Sequence, residues 1–150
     1  MSEHKVSLNW SLEDDDFSYD NYSRSHHWKF EGGTAVNASA AKEFLGRPEL
    51  VNPEEAFAAS ISSCHMLTFL AIASRKRYTV RSYKDEAVAI LAKGDNGRMV
   101  VTQVFLRPEI VFEGSKIPTK EQIDKMHHSA HLQCFIAGSV TSEIVVEPVY

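Results

Sequence analysis

The segment from Asn52 to Ser74 constrains the fold more than any other, because it reads as a helix that is apolar on nearly every side. Asn52 can cap it, Pro53 suits the first helical position, and Glu55 completes an Asn-x-x-Glu capping box. Phe57, Ile61, Cys64 and Thr68 share one face, while Leu67, Leu70 and Ile72 carry the apolar surface round the others. A helix of this kind is buried on most sides, so it is expected at the centre of the structure.

The elements around it set the fold class. Lys5–Trp10 and His26–Phe30 read as strands of a hairpin with a long, acidic connection containing Tyr22-Ser23-Arg24-Ser25. Residues 31–51, weakly periodic and containing Gly, Ala and Pro, read as an irregular surface loop. Strand-like segments follow at Ser82–Ala92 and Met99–Phe112, joined by the turn Lys93-Gly94-Asp95-Asn96-Gly97. Pro108 inside the second points to a bulge or an edge. A second helix is predicted over Lys120–Gln133, with Thr119 and Gln122 as its capping box, and a terminal strand within Ser139–Val149. Strands, long helix, strands, helix and strand make an α+β domain, and 150 residues fit a single domain spanning 1–150.

Charge and composition exclude several functions. The net charge of −4 argues against a nucleic-acid binder. The one basic cluster, Arg75-Lys76-Arg77, falls where the first helix ends and suits its dipole. Glu13-Asp14-Asp15-Asp16 lacks the ligand spacing and central glycine of a calcium loop and reads as a solvated turn. The first residues show no apolar secretory stretch, and the longest apolar or small run, Met66–Ala73 with Thr68 inside it, is too short to span a bilayer, so a cytoplasmic setting is expected. In that compartment two cysteines are reduced, catalytic or metal-bound rather than a permanent staple.

Cys64 and Cys134 are those two, the first inside the first predicted helix and the second at the end of the other. Alone, a helical cysteine on an apolar face is packing. Their surroundings add more. Val51-Asn52-Pro53-Glu54-Glu55-Ala56-Phe57-Ala58-Ala59 leading to Ser63-Cys64, and Ala130-His131-Leu132-Gln133-Cys134 near the other end, resemble the OsmC/Ohr family of thiol-dependent organic hydroperoxide reductases. The resemblance implies antiparallel sheets flanking long central helices in an intertwined homodimer. It implies Cys64 as the peroxidatic nucleophile, Cys134 as the resolving thiol, and Glu54 as the support of a catalytic, peroxide-binding arginine. Arg24 matches the hydroperoxide reductase branch and is favoured; Arg47 lies nearer the place used by the OsmC branch and is the alternative. The resemblance further implies organic, including fatty-acid, hydroperoxides as substrates, no bound cofactor, and an external dithiol reductant such as a lipoyl group. Two residues depart from the family pattern. His65 follows the nucleophile, where it either alters the thiol or points to another face, and Phe135 stands where proline is common.

Elementary chemistry explains why an arginine belongs there. A free thiol is only about 3% thiolate at neutral pH, and lowering its pKa by about two units raises that fraction roughly 25-fold. Nucleophilicity falls in parallel, leaving a net gain of about threefold. The arginine must therefore also hold the peroxide and stabilise the departing alkoxide. Spacing adds a constraint: Glu54 and Cys64 stand about 15 Å apart along a straight helix. Either that helix breaks between them, or one site draws Glu54 and Cys64 from different chains.

Two rivals remain. His127, His131 and Cys134 at i, i+4 and i+7, with Cys64-His65, could form a metal site, although no Cys-x-x-Cys or His-Glu-x-x-His pattern supports it, and adjacent His127 and His128 read as a surface feature. The other is a non-catalytic binding module on the same fold. Neither a nucleophile elbow nor a phosphate loop appears.

Overall fold

Asn52 and Glu55 exchange two hydrogen bonds, Glu55 N to Asn52 Oδ1 at 2.8 Å and Asn52 N to Glu55 Oε2 at 3.1 Å, and so open helix α1, Pro53–Arg75. The computed structural model describes residues Met1–Tyr150. α1 is continuous for 23 residues and ends where Arg77 turns left-handed at φ 61°, a conformation that closes helices. By length and composition alone it could cross a membrane. Here, however, its inner stripe of Ala58, Ile61, His65, Phe69, Ile72 and Ala73 is buried in the fold. Burial on most sides is not achieved within one chain, since Leu67 remains 61% exposed.

The chain forms two compact units, Met1–Ala56 and Phe57–Tyr150. In the first, β1 (Val6–Asn9), β2 (His26–Phe30) and β3 (Ala35–Ala38) form an antiparallel sheet in that order. The hairpin expected from the sequence is present, with Val6 opposite Phe30 and Asn9 opposite His27. Residues 31–51 are not simply a loop. β3 pairs with β2, Ala38 bridges Val51, Lys42–Phe44 form a 3-10 turn, and Ala38 and Ser39 are fully buried. Gly46 is required here, because a Cβ would fall 1.7 Å from the Ala40 carbonyl oxygen.

In the second unit each long strand segment is cut in two. Ser82–Ala92 divides into β4 (Thr79–Lys84) and β5 (Val88–Lys93), and Met99–Phe112 into β6 (Met99–Leu106) and β7 (Glu109–Glu113). β4 pairs with β7 and β5 with β6, so one bent hairpin serves two sheets. Pro108 lies in the corner, and Asp85 ties it, accepting from Arg107 N at 2.6 Å and from Ser62 Oγ of α1 at 2.5 Å. β8 (Glu143–Val146) joins β6 in parallel, the one parallel ladder of an otherwise antiparallel α+β fold. Helix α2 (Lys120–Gln133) opens with the Thr119–Gln122 capping box and has Cys134 as its C-cap. Two apolar clusters hold the unit together. Phe69, Ile72, Ala73, Tyr78, Met126 and Ala130 form one, and Ala58, Ile61, Val104 and Leu106 the other.

Candidate functional site

Cys64 and Cys134 meet. Both are free thiols, and they stand side by side where α1 passes the end of α2. Cys64 is half-buried and Cys134 is 2% exposed. Burial raises the Cys134 pKa, the neighbouring Cys64 thiol and its charge raise it further, and backbone N–H groups of Ala137 and Ile136 oppose them. Ala137 N lies 3.4 Å from the Cys134 sulfur, because the chain turns tightly after α2. Thr68 Oγ1 donates to the Cys64 carbonyl at 2.8 Å, as hydroxyls in helices do. A partly open thiol thus stands against a closed one.

His65 faces away from Cys64. Its Nε2 lies 3.0 Å from Nδ1 of His127, and the two rings meet edge to edge, their centres 5.3 Å apart with 6° between planes. His127 is therefore no surface feature: it is 3% exposed, while its neighbour His128 is exposed. The 3.6-residue period sends adjacent side chains apart, and it turned His127 inward. Burial pushes both pKa values down to about 4, with His131 adding to the effect at His65 and His65 at His127. Nε2 of His127 and Nδ1 of His131 are buried without partners. With Cys134 turned to Cys64 and His127 to His65, no three His, Cys, Asp or Glu side chains stand together to hold a metal ion.

The arginines lie in the first unit. Arg24 donates from Nη1 to the Tyr22 carbonyl at 2.6 Å and from Nη2 to the Tyr19 carbonyl, and its guanidinium lies 3.7 Å from the centre of the Tyr22 ring. Trp10, Phe17 and Tyr22 pack edge-on or tilted beside it, and Trp10 Nε1 donates to Ser23 O at 2.7 Å. This side of the hairpin carries an open pocket of about 480 Å³ lined by Leu8, Trp10, Phe17, Tyr22, Arg24 and His26 among others. Arg47 is exposed and engages Glu49 at 2.5 Å. Glu54 bonds neither arginine, and its Oε2 is buried with no partner. A buried carboxylate oxygen left unpaired is costly, so the position calls for a donor. The aromatic wall was not singled out from sequence, and His65 and His127 entered as members of a metal-site reading, not as partners of each other. The only signal for the wall was the recurrence of Trp10, Phe17, Tyr19 and Tyr22 within an otherwise acidic, polar connection.

Comparison with known proteins agrees with this architecture. Residues 46–149 match the family described as OsmC-like protein. The structure superposes on an OsmC-like protein of unknown function from Vibrio cholerae with TM-score 0.94 and 49% identity, covering 99% of this chain and 100% of that one. An organic hydroperoxide resistance protein from Elizabethkingia anophelis shares the fold at TM-score 0.73 and 18% identity, with 99% and 94% covered. One from Bacillus subtilis does so at 0.71 and 16%, with 99% and 98% covered. No protein of curated function matches the sequence. The family match over most of the chain and the close likeness to the Vibrio protein carry the conclusion that this chain belongs to the OsmC-like protein family.

Proposed function

We propose that the protein is a cysteine-based peroxidase that reduces organic hydroperoxides through Cys64, with Cys134 as its resolving thiol. The observation that carries this is the pairing, side by side, of a half-buried and a buried free thiol. Cys64, as thiolate, attacks the outer peroxide oxygen. The S–O bond forms, the O–O bond breaks, and the alkoxide leaves to take up a proton. Arg24 serves as the charged fork that holds the peroxide and the leaving oxygen, with Arg47 as the alternative. Glu54 orients it, since its unpaired buried oxygen suits a guanidinium. The aromatic cavity beside Arg24 suits the hydrocarbon part of the substrate.

Cys134 then displaces hydroxide from the Cys64 sulfenic acid, closing a disulfide and releasing water. Once Cys64 is a neutral sulfenic acid, its charge no longer raises the Cys134 pKa, so the second thiol becomes easier to ionise after the first has reacted. An external dithiol such as a lipoyl group reopens the disulfide; no bound cofactor takes part. The unit of function is a homodimer working in the cytoplasm, with neither nucleic acid nor membrane as partner. Steady-state turnover of an aryl hydroperoxide with a small dithiol tests the proposal. It should proceed in the wild type and be lost in Cys64→Ser; equal turnover by both proteins would contradict it.

A further inference from the structure

His65 and His127 take no part in that chemistry, yet apart from the two thiols they make the polar side-chain link between α1 and α2. They are 1% and 3% exposed. Burying two imidazoles is costly, and apolar side chains of similar size would fill the space without that cost. A directional bond does what packing alone cannot.

Geometry shows why direction matters here. Along α1, Cys64 and His65 differ in height by about 1.5 Å; along α2, His127 and Cys134 differ by about 10 Å. Yet His65 meets His127 and Cys64 meets Cys134. The two helices must therefore cross steeply. A steep crossing shares few side-chain ridges and leaves the register of one helix on the other weakly fixed. The imidazole bond fixes it, and Phe69, 4.4 Å from the His127 ring centre, braces the ring from α1.

We propose that the His65–His127 hydrogen bond is the positioning device of the thiol pair, setting the height at which Cys134 meets the Cys64 sulfur for disulfide closure. This rests on the reading of Cys64 as peroxidatic and Cys134 as resolving. In the step concerned, the Cys134 thiolate attacks the Cys64 sulfur, the S–S bond forms and the S–OH bond breaks. The leaving hydroxide takes the proton the Cys134 thiol gave up. The Cys134 sulfur is oxidised as the sulfenic sulfur is reduced. A misplacement of about 1 Å in such an attack costs on the order of a hundredfold in rate.

The two steps can be timed separately by mixing reduced protein with one equivalent of cumene hydroperoxide, quenching in acid and weighing the intact chain. His127→Leu should form the Cys64 sulfenic acid at close to the wild-type rate but close the disulfide at least about tenfold more slowly. His127→Asn, whose amide occupies the place of Nδ1, should restore most of that loss. His127→Gln, whose amide sits where Nε2 was, should not, and this pair carries the test if the leucine variant does not fold. The double variant His65→Leu/His127→Leu should be no slower than either single one, because one bond is lost only once. Disulfide closure within about twofold of wild type in His127→Leu, or equal slowing in the Asn and Gln variants, would overturn the proposal, as would both steps slowing together. A wild type that forms sulfenic acid and no disulfide would instead overturn the reading of the thiols beneath it.

Discussion

Arg24 and Arg47 are the same side chain in two settings, and the settings separate their expected roles. Arg47 is exposed and neutralised by Glu49, a surface pair of small energetic value. Arg24 is held by two backbone carbonyls over an aromatic ring at the wall of a cavity, which orders the guanidinium without spending its charge on a carboxylate. Arg24→Ala should lower kcat/KM by about a hundredfold or more, the usual loss when one donor to a developing oxyanion is removed, while Arg47→Ala should stay within about twofold. Rates for both variants at one hydroperoxide concentration series check this; the reverse order would move the role to Arg47. The sequence pointed to Cys64, Cys134 and Glu54 through a motif, but it could not pair the arginines, because both sit in connections where periodicity carries no information.

Among the elements, both helices were legible because capping boxes mark their starts with side-chain chemistry readable one residue at a time. β3 was not. Ala-Val-Asn-Ala has little strand signal, and the ladder to β2 holds it in place. Nor was the division of β4 from β5, since it depends on Asp85 reaching Arg107, 22 residues away. The inward turn of His127 likewise depends on His65, 62 residues away. That pair gives α1 and α2 a predictable weakness in acid. Both rings titrate at about 4 in the fold and near 6.5 when unfolded. The unfolded chain therefore binds more protons between those values, and stability falls as pH drops from 6.5 towards 4. Two shifts of this size amount to about 2 kcal/mol per ring by pH 5, an upper bound for two rings that feel each other. Urea midpoints at pH 7 and pH 5 should show the loss in the wild type and a much smaller one in His65→Leu/His127→Leu; parallel slopes would contradict it.

For the molecule as a whole, the uninterrupted course of α1 removes one of the two ways to unite Glu54 with Cys64. The helix does not break, so Glu54 and Cys64 of one chain lie about 15 Å apart along its axis, beyond the span of one arginine serving both. The unfilled side of α1 at Leu67 and the unpaired Glu54 oxygen both suit a second copy. If each site joins Cys64 of one chain to Arg24 and Glu54 of the other, two dead variants should rescue each other. Cys64→Ser and Arg24→Ala, unfolded together and refolded as a mixture, should recover about a quarter of wild-type turnover, because half the dimers are hybrids with one intact site of two. No recovery would place each site within one chain. The central claim, that Cys64 and Cys134 are a redox couple, is tested most directly by the intact mass of the protein after one equivalent of organic hydroperoxide. The account predicts that the wild type loses two hydrogens as the disulfide closes, and that Cys134→Ser gains oxygen instead. A wild type whose mass does not change, or which gains oxygen just as Cys134→Ser does, would contradict it.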